Sequence, residues 1–153
     1  MKPRTIGLTL GLTLVAAVAC FASPQMGTWK LNEAKSKFAP GATKNHTVVY
    51  AEAGDQVKVT VDGTDAQGNK THHEWTGKFD GKDYAVTGDS TSDMRSYKQA
   101  GDNTLEMTVK KDGKVTATGT VVVSADGKTR TVTTTATDDK GAKTESTAVY
   151  DKQ

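Results

Sequence analysis

Histidines beside an acidic residue are the side chains of this sequence best suited to metal chemistry. They occur as His72, His73 and Glu74 in the stretch THHEW. Neighbouring side chains on a β-strand point to opposite faces, so the two histidines cannot hold one ion together. The Asp- and Gly-rich stretch at 62–69 lacks the ligand spacing and the closing Glu of a calcium loop. We therefore expect no metal site and no cofactor.

Nucleophiles for covalent catalysis are equally scarce. Cys20 is the single cysteine and lies in the N-terminal apolar segment, and the sequence contains no G-x-S-x-G motif. Because no nucleophile, base and metal come together, we expect a protein that is not an enzyme.

Aromatic side chains are better candidates for holding a small molecule. Trp75 and Phe79 share one face of the stretch HHEWTGKFDG, and Tyr50 shares a face with His46 in HTVVY. Tyr150 ends a further run of the same kind. These side chains either line a cavity or fill it.

Arg95 and Arg130 are the only arginines after residue 22. Arg130 shares a strand face with Val132, so it lies at one end of a barrel if that face is interior. There it either meets an anion or covers an aromatic ring. Arg95 shares a face with Asp93 and Tyr97, and we expect it to form a solvated salt bridge, with contact to an anionic ligand as the alternative.

The elements that would position these residues are strands. Apolar and polar residues alternate in QVKVTVDG, TLEMTVKK and KVTATGTVVVS, and the runs are rich in Val and Thr. Asp-Gly pairs between the runs supply the positive φ angles of tight hairpins. Counting the runs gives about ten strands, which predicts an all-β sandwich or barrel.

Both ends of this strand-forming region resemble one family. Gly27-Thr28-Trp29 in MGTWKLN resembles the G-x-W opening of the lipocalin and fatty-acid-binding-protein (calycin) superfamily, and STAVYDKQ at 146–153 resembles its last strand. The resemblance implies one antiparallel up-and-down meander barrel of about 8–10 strands over residues 23–153, with the first strand beside the last. Gly27 and Trp29 would be its structural anchors. Many lipocalins also stack an Arg on this Trp, which would give Arg130 a structural role.

The ligand that the resemblance implies depends on two departures from the family. Tyr150 matches the last-strand Tyr that holds the ligand carboxylate in fatty-acid-binding proteins, but Ala148 stands where they have Arg. Pro40 and Gly41 also break any helical lid after the first strand. We therefore expect a lidless barrel that binds a neutral, mainly apolar small molecule. The candidate ligand-binding residues are Tyr50, Trp75, Phe79, Arg130 and Tyr150.

The N-terminus indicates export. Residues 1–22 combine Lys2 and Arg4 with an apolar core at 6–18, as a secretory signal peptide does. Cleavage after Ala22 would release a protein into the periplasm or the extracellular space. Cleavage before Cys20 would instead leave a lipid anchor on that residue.

Charge narrows the range of partners. The whole chain has a formal charge of +2, and Lys2 and Arg4 account for both units. The remainder is near neutral and has no basic block for a phosphate backbone, so we expect no nucleic acid. We expect a monomer that meets a membrane only through a lipid anchor at Cys20. The alternative function is a module of the cell envelope that binds no ligand and acts in adhesion or assembly.

Overall fold

The computed structural model describes residues 23–153. The predicted signal peptide at 1–22, with the lipidation candidate Cys20, lies outside the described residues. Ten strands follow one another along the chain. They are β1 Gly27–Leu31, β2 Lys44–Ala53, β3 Gln56–Thr64, β4 Lys70–Gly77, β5 Tyr84–Thr87, β6 Met94–Gly101, β7 Thr104–Lys111, β8 Lys114–Val123, β9 Thr129–Thr137 and β10 Lys143–Lys152.

The sheet closes on itself, which confirms the predicted all-β antiparallel meander barrel. Each strand pairs with its neighbours in sequence, and β1 also pairs antiparallel with β10. In that last pair Trp29 lies opposite Lys152 and Leu31 opposite Tyr150. Closure leaves no strand with a free edge.

Period-two alternation divides the strands into an inner and an outer face as predicted. Val59 and Val61 are buried, whereas Asp62 on the same strand is exposed. The predicted Asp-Gly turns join β7 to β8 and β8 to β9, and their glycines Gly113 and Gly127 have φ angles of 78° and 71°. Such angles favour glycine because it has no Cβ to clash.

The barrel has no helical lid, as predicted. Between β1 and β2 the chain makes only one short 3-10 helix, Glu33–Lys35, which the side chain of Asn32 caps. Among the described residues, no helix is long and apolar enough to cross a membrane.

One end of the barrel, termed here the closed end, is filled around Trp29. The ring of Trp29 is fully buried, and its Nε1 donates a hydrogen bond of 2.8 Å to the carbonyl oxygen of Gln25. Lys152 Nζ lies 5.1 Å from the centre of the ring. Gly27 has a φ of 108°, an angle that side chains rarely allow. These contacts suit the anchoring role expected of Gly27 and Trp29.

Candidate ligand-binding cavity

A cavity of about 760 Å³ occupies the other half of the barrel. It reaches the end opposite Trp29, termed here the open end, where residues 38–43 and 88–91 form part of its wall. A barrel of this type can therefore enclose a small ligand beside a packed core.

Small side chains on neighbouring strands keep this half of the barrel hollow. Ala117 on β8, Thr134 and Ala136 on β9 and Ala148 on β10 all line the cavity. Bulky apolar residues at these inward positions would fill the space that they leave.

Three of the predicted ligand-binding residues meet deep in this cavity. Arg130 donates a hydrogen bond of 2.7 Å from Nη2 to the hydroxyl oxygen of Tyr50. Its Cζ lies 5.0 Å from the centre of the Tyr50 ring and 5.1 Å from that of Tyr150. All three side chains line the cavity. Arg130 therefore covers two tyrosines, and the cation over Trp29 is Lys152, contrary to the role that the family resemblance offered to Arg130.

The guanidinium of Arg130 is charged and incompletely paired. Arg130 is 4% exposed, and its Nε and Nη1 have no hydrogen-bond partner within the described residues. Burial raises the pKa of the Tyr50 and Tyr150 phenols, so both remain neutral. None of the salt bridges formed within residues 23–153 involves Arg130.

A β-bulge changes which side chain β2 contributes at the open end. Strict alternation with Val48 and Tyr50 would turn His46 inward, as the sequence pattern predicted. The pairing of β2 with β3 instead shifts between Asn45 and Thr47. Asn45 consequently lines the cavity, whereas His46 Nε2 lies 3.0 Å from the hydroxyl of Thr64. An extra residue in one strand re-aims its neighbours in this way.

Arg95 lies inside the barrel, which corrects the expectation of a solvated salt bridge. It is 8% exposed, and its Nη2 lies 3.7 Å from Asp89 Oδ2, the carboxylate of the β5–β6 connection. Its Nη1 lies 3.5 Å from His73 Nε2. Because a guanidinium has only donors, that ring nitrogen must be the acceptor.

The two histidines of THHEW face opposite sides, as predicted. His72 Nδ1 lies 2.7 Å from Asp62 on the exposed surface. His73 is buried beside Arg95, and burial together with that positive charge lowers the pKa of His73 to about 4. Among residues 23–153, no three His, Cys, Asp or Glu side chains are placed to hold a metal ion.

Trp75 and Phe79, the other predicted ligand-binding residues, are not part of the cavity wall. Trp75 stacks on Phe79 with ring centres 6.3 Å apart and meets Tyr97 edge-on at 5.0 Å. Its Nε1 donates to the carbonyl oxygen of Arg95. Because their rings pack on each other and on Tyr97, these two residues belong to the aromatic core. They lie where β4 ends, towards the closed end of the barrel.

Several cavity residues were not among the predicted ligand-binding residues. Arg95 and Tyr97 both line the cavity; the two-residue spacing placed them on one face but did not show that this face is the interior one. No comparable signal marked Asn45, since only the bulge turns it inward. Asp89 reaches the cavity from a connection, where strand periodicity gives no information.

Comparisons with known proteins show the fold alone. No protein-family model and no curated protein matches the sequence. Among solved structures, EF1p2_mFAP2b bound to DFHBI is 12% identical over 85% of this chain and 94% of that chain, with a TM-score of 0.50. The redesigned beta barrel mFAP1 bound to DFHBI is 15% identical over 85% of this chain and 98% of that chain, with a TM-score of 0.44. The similarity to EF1p2_mFAP2b agrees with the barrel architecture described above.

Proposed function

We propose that this protein binds, without catalysis, a small and mainly apolar molecule that carries an acidic group. Arg130 is the observation that carries the proposal. It presents a buried, positively charged guanidinium to a cavity of about 760 Å³, and two of its nitrogens have no partner within residues 23–153.

An anionic ligand would resolve the electrostatics of this site. A buried cation without a counter-ion is costly, because it has lost its hydration and gained no opposite charge. Tyr50 and Tyr150 supply π-faces and one hydroxyl acceptor but no negative charge. A ligand carboxylate at Nε and Nη1 would complete the hydrogen bonds of the guanidinium and neutralise it.

The acidic group revises the neutral ligand expected from the sequence. That expectation depended on Ala148, which left Tyr150 without a cation on its own strand. Arg130 on β9 lies opposite Tyr150 in the β9–β10 pair and supplies the missing charge. The positive charge that fatty-acid-binding proteins carry on the last strand is thus supplied here by Arg130 on the strand beside it.

The body of the ligand is proposed to be mainly apolar because apolar side chains form a large part of the cavity wall, beside the polar residues that also line it. Valine, methionine and alanine side chains make up this apolar part. They are Val48, Val59, Val61, Met107, Val121, Val132 and Ala148. Burying apolar ligand surface against them contributes roughly 25 cal/mol per Å².

The fold and the cavity both favour a carrier or sensor over a module for adhesion or assembly. EF1p2_mFAP2b, which has the same barrel fold, is bound to DFHBI. The adhesion or assembly alternative expects a filled interior, and the open half of this barrel is hollow. From these features, the G-x-W opening and the last strand, we propose that the chain belongs to the calycin superfamily.

We place the proposed function outside the cytoplasm. The pattern of residues 1–22 supports export to the periplasm or the extracellular space, with a membrane anchor only if Cys20 is lipidated. We propose that the exported protein acts as a monomer. A near-neutral mature chain suits a carrier of small molecules better than a binder of nucleic acid.

A matched pair of ligands tests the acidic group. Titrating the protein with a fluorescent fatty acid and with its methyl ester should give tighter binding of the acid by roughly ten- to a hundredfold, the value of a charge-assisted hydrogen bond. In Arg130→Gln, which keeps polarity but removes the charge, the preference for the acid should disappear. Lys128→Gln removes an exposed charge two residues earlier and should retain it.

Two outcomes would count against the proposal. Equal affinity of the wild type for acid and ester would remove the role of Arg130. Failure of both ligands to bind a protein that melts cooperatively would remove the proposed function itself and favour the adhesion or assembly module.

A further inference from the structure

We propose that the open end of the cavity contains a second recognition subsite, which binds a hydroxyl group on the tail of the ligand. The inference rests on the proposed function, because the acidic head of the same ligand lies at Arg130. Three buried polar atoms of the cavity wall carry it: Asn45 Oδ1, Thr71 Oγ1 and Arg95 Nε. None of them has a hydrogen-bond partner within residues 23–153.

The fold places the residues that carry two of these atoms at the same level of the barrel, on the two strands that flank Gly63. In the register of β2, β3 and β4, Asn45 lies opposite Gly63, and Gly63 lies opposite Thr71. Glycine puts no side chain between them, and a Cβ at Gly63 would overlap the carbonyl oxygen of Lys44. The close approach at Gly63 and the adjacent bulge thus turn Asn45 into the cavity that Thr71 also lines.

His73 connects Arg95 to this part of the cavity wall. Thr71 and His73 lie two residues apart on the same face of β4, and His73 Nε2 lies 3.5 Å from Arg95 Nη1. Asp89 is 3.7 Å from Arg95 Nη2. The other nitrogens of Arg95 therefore have neighbours, and its Nε is left for another acceptor.

The charge of the subsite selects a neutral group. Asp89 already balances the charge of Arg95, so a second ligand carboxylate would be repelled by it. Arg95 Nε needs an acceptor, Asn45 Oδ1 needs a donor, and the hydroxyl of Thr71 can take either role. A hydroxyl group provides both functions, and a carbonyl group provides only the acceptor.

The distance between the two subsites sets the length of the ligand. Asn45 and Tyr50 lie opposite Gly63 and Val59, which are four residues apart on β3, so the usual rise of a strand gives roughly 13 Å between these two levels of the barrel. The hydroxyl should therefore lie near the far end of an extended acid, and only one range of chain lengths should bridge the two groups.

Isothermal titration calorimetry can test this inference with unbranched ω-hydroxy acids of increasing chain length. Each is compared with the parent acid of the same length, using protein expressed from the full-length chain. At the matching length the hydroxy acid should bind about tenfold more tightly than its parent, because it satisfies polar groups that are otherwise unpaired. Shorter and longer pairs should show no such gain.

Two isosteric variants on one strand provide the control. Thr71→Val removes the inward hydroxyl and should abolish most of the tenfold gain, while the affinity for the parent acid stays the same. Thr76→Val makes the same change on the exposed face of β4 and should keep the gain. Thermal melts verify that both variants fold.

The outcomes separate this inference from the proposed function. If the parent acids bind but no hydroxy acid gains affinity at any length, the second subsite does not exist and the acid-binding function stands. A gain that survives in Thr71→Val also refutes the subsite. If no acid of either series binds, the proposed function fails and the subsite fails with it.

Discussion

His73 should make the stability of this protein fall between about pH 7 and about pH 5. The native side chain is buried beside Arg95, and its pKa is lowered from 6.5 to about 4. In the unfolded chain the imidazole regains its ordinary pKa. Between these two values the unfolded state binds more protons than the native state, so acid favours unfolding.

The size of the effect follows from the two pKa values. Stability from this group is fully present above the unfolded pKa of 6.5 and is lost as the pH falls towards the native value of about 4. Over the interval from about pH 7 to about pH 5, the linkage relation gives a loss of about 2 kcal/mol. That is a large share of a typical total stability of about 5–15 kcal/mol.

Burial and neighbouring charges together set the pKa of His73 in the native protein. Burial lowers its pKa most, Arg95 lowers it further, and Asp89 opposes both. Burial raises the pKa of Asp89, but hydrogen bonds from Ser92 and Thr91 outweigh this and hold that pKa below its ordinary value. In the native protein Asp89 therefore stays ionised throughout this pH range. The proton uptake that lowers the stability is that of His73 in the unfolded chain.

Urea unfolding at several pH values measures the loss directly. His73→Gln keeps a side chain that can accept from Arg95 but does not titrate, so its free energy of unfolding should fall by about 2 kcal/mol less than that of the wild type. His72→Gln removes a histidine from the exposed face and should behave as the wild type does. If His73→Gln retains the full pH dependence, His73 is not the buried neutral group described here.

Further predictions concern Trp29, the close approach at Gly63 and the predicted signal peptide at residues 1–22. Trp29→Ala should lower the free energy of unfolding by about 3–5 kcal/mol, because the ring is fully buried at the closed end; a loss below about 1 kcal/mol in urea would contradict that role. Gly63→Ala should lower the thermal midpoint because its Cβ overlaps a carbonyl oxygen of β2, whereas Gly101→Ala meets nothing closer than 3.9 Å and should have little effect; equal midpoints would refute the close approach. Mass spectrometry of the exported protein should show the loss of residues 1–22, and incorporation of labelled palmitate at Cys20 would instead establish a lipid anchor.

The barrel could be predicted from the sequence because its signals are local. Alternating valines and Asp-Gly turns gave the strands and hairpins, and the motifs around Trp29 and Tyr150 gave the pairing of the first strand with the last. Each signal occupies a few consecutive residues, and short-range sterics act on it directly.

The cavity could be predicted only in part because its contacts are not local. Tyr50, Arg130 and Tyr150 were all candidates, but the hydrogen bond between Tyr50 and Arg130 joins residues 80 positions apart. Trp75 was misplaced because alternation says which face a residue occupies and not how far along the barrel it lies. The bulge before Thr47 was missed because it shifts the period by one residue.

Packing along the barrel explains how it tolerates buried cations. With one cysteine the chain cannot form an internal disulfide, so its stability depends on its core and on closure of the sheet. Trp29 and the stacked rings of Trp75 and Phe79 concentrate that core towards the closed end. Arg130 and Arg95 lie instead on the wall of the hollow half, where unsatisfied polar groups reduce stability. Such a division is expected when a binding site is maintained at the expense of stability and the rest of the fold compensates for it.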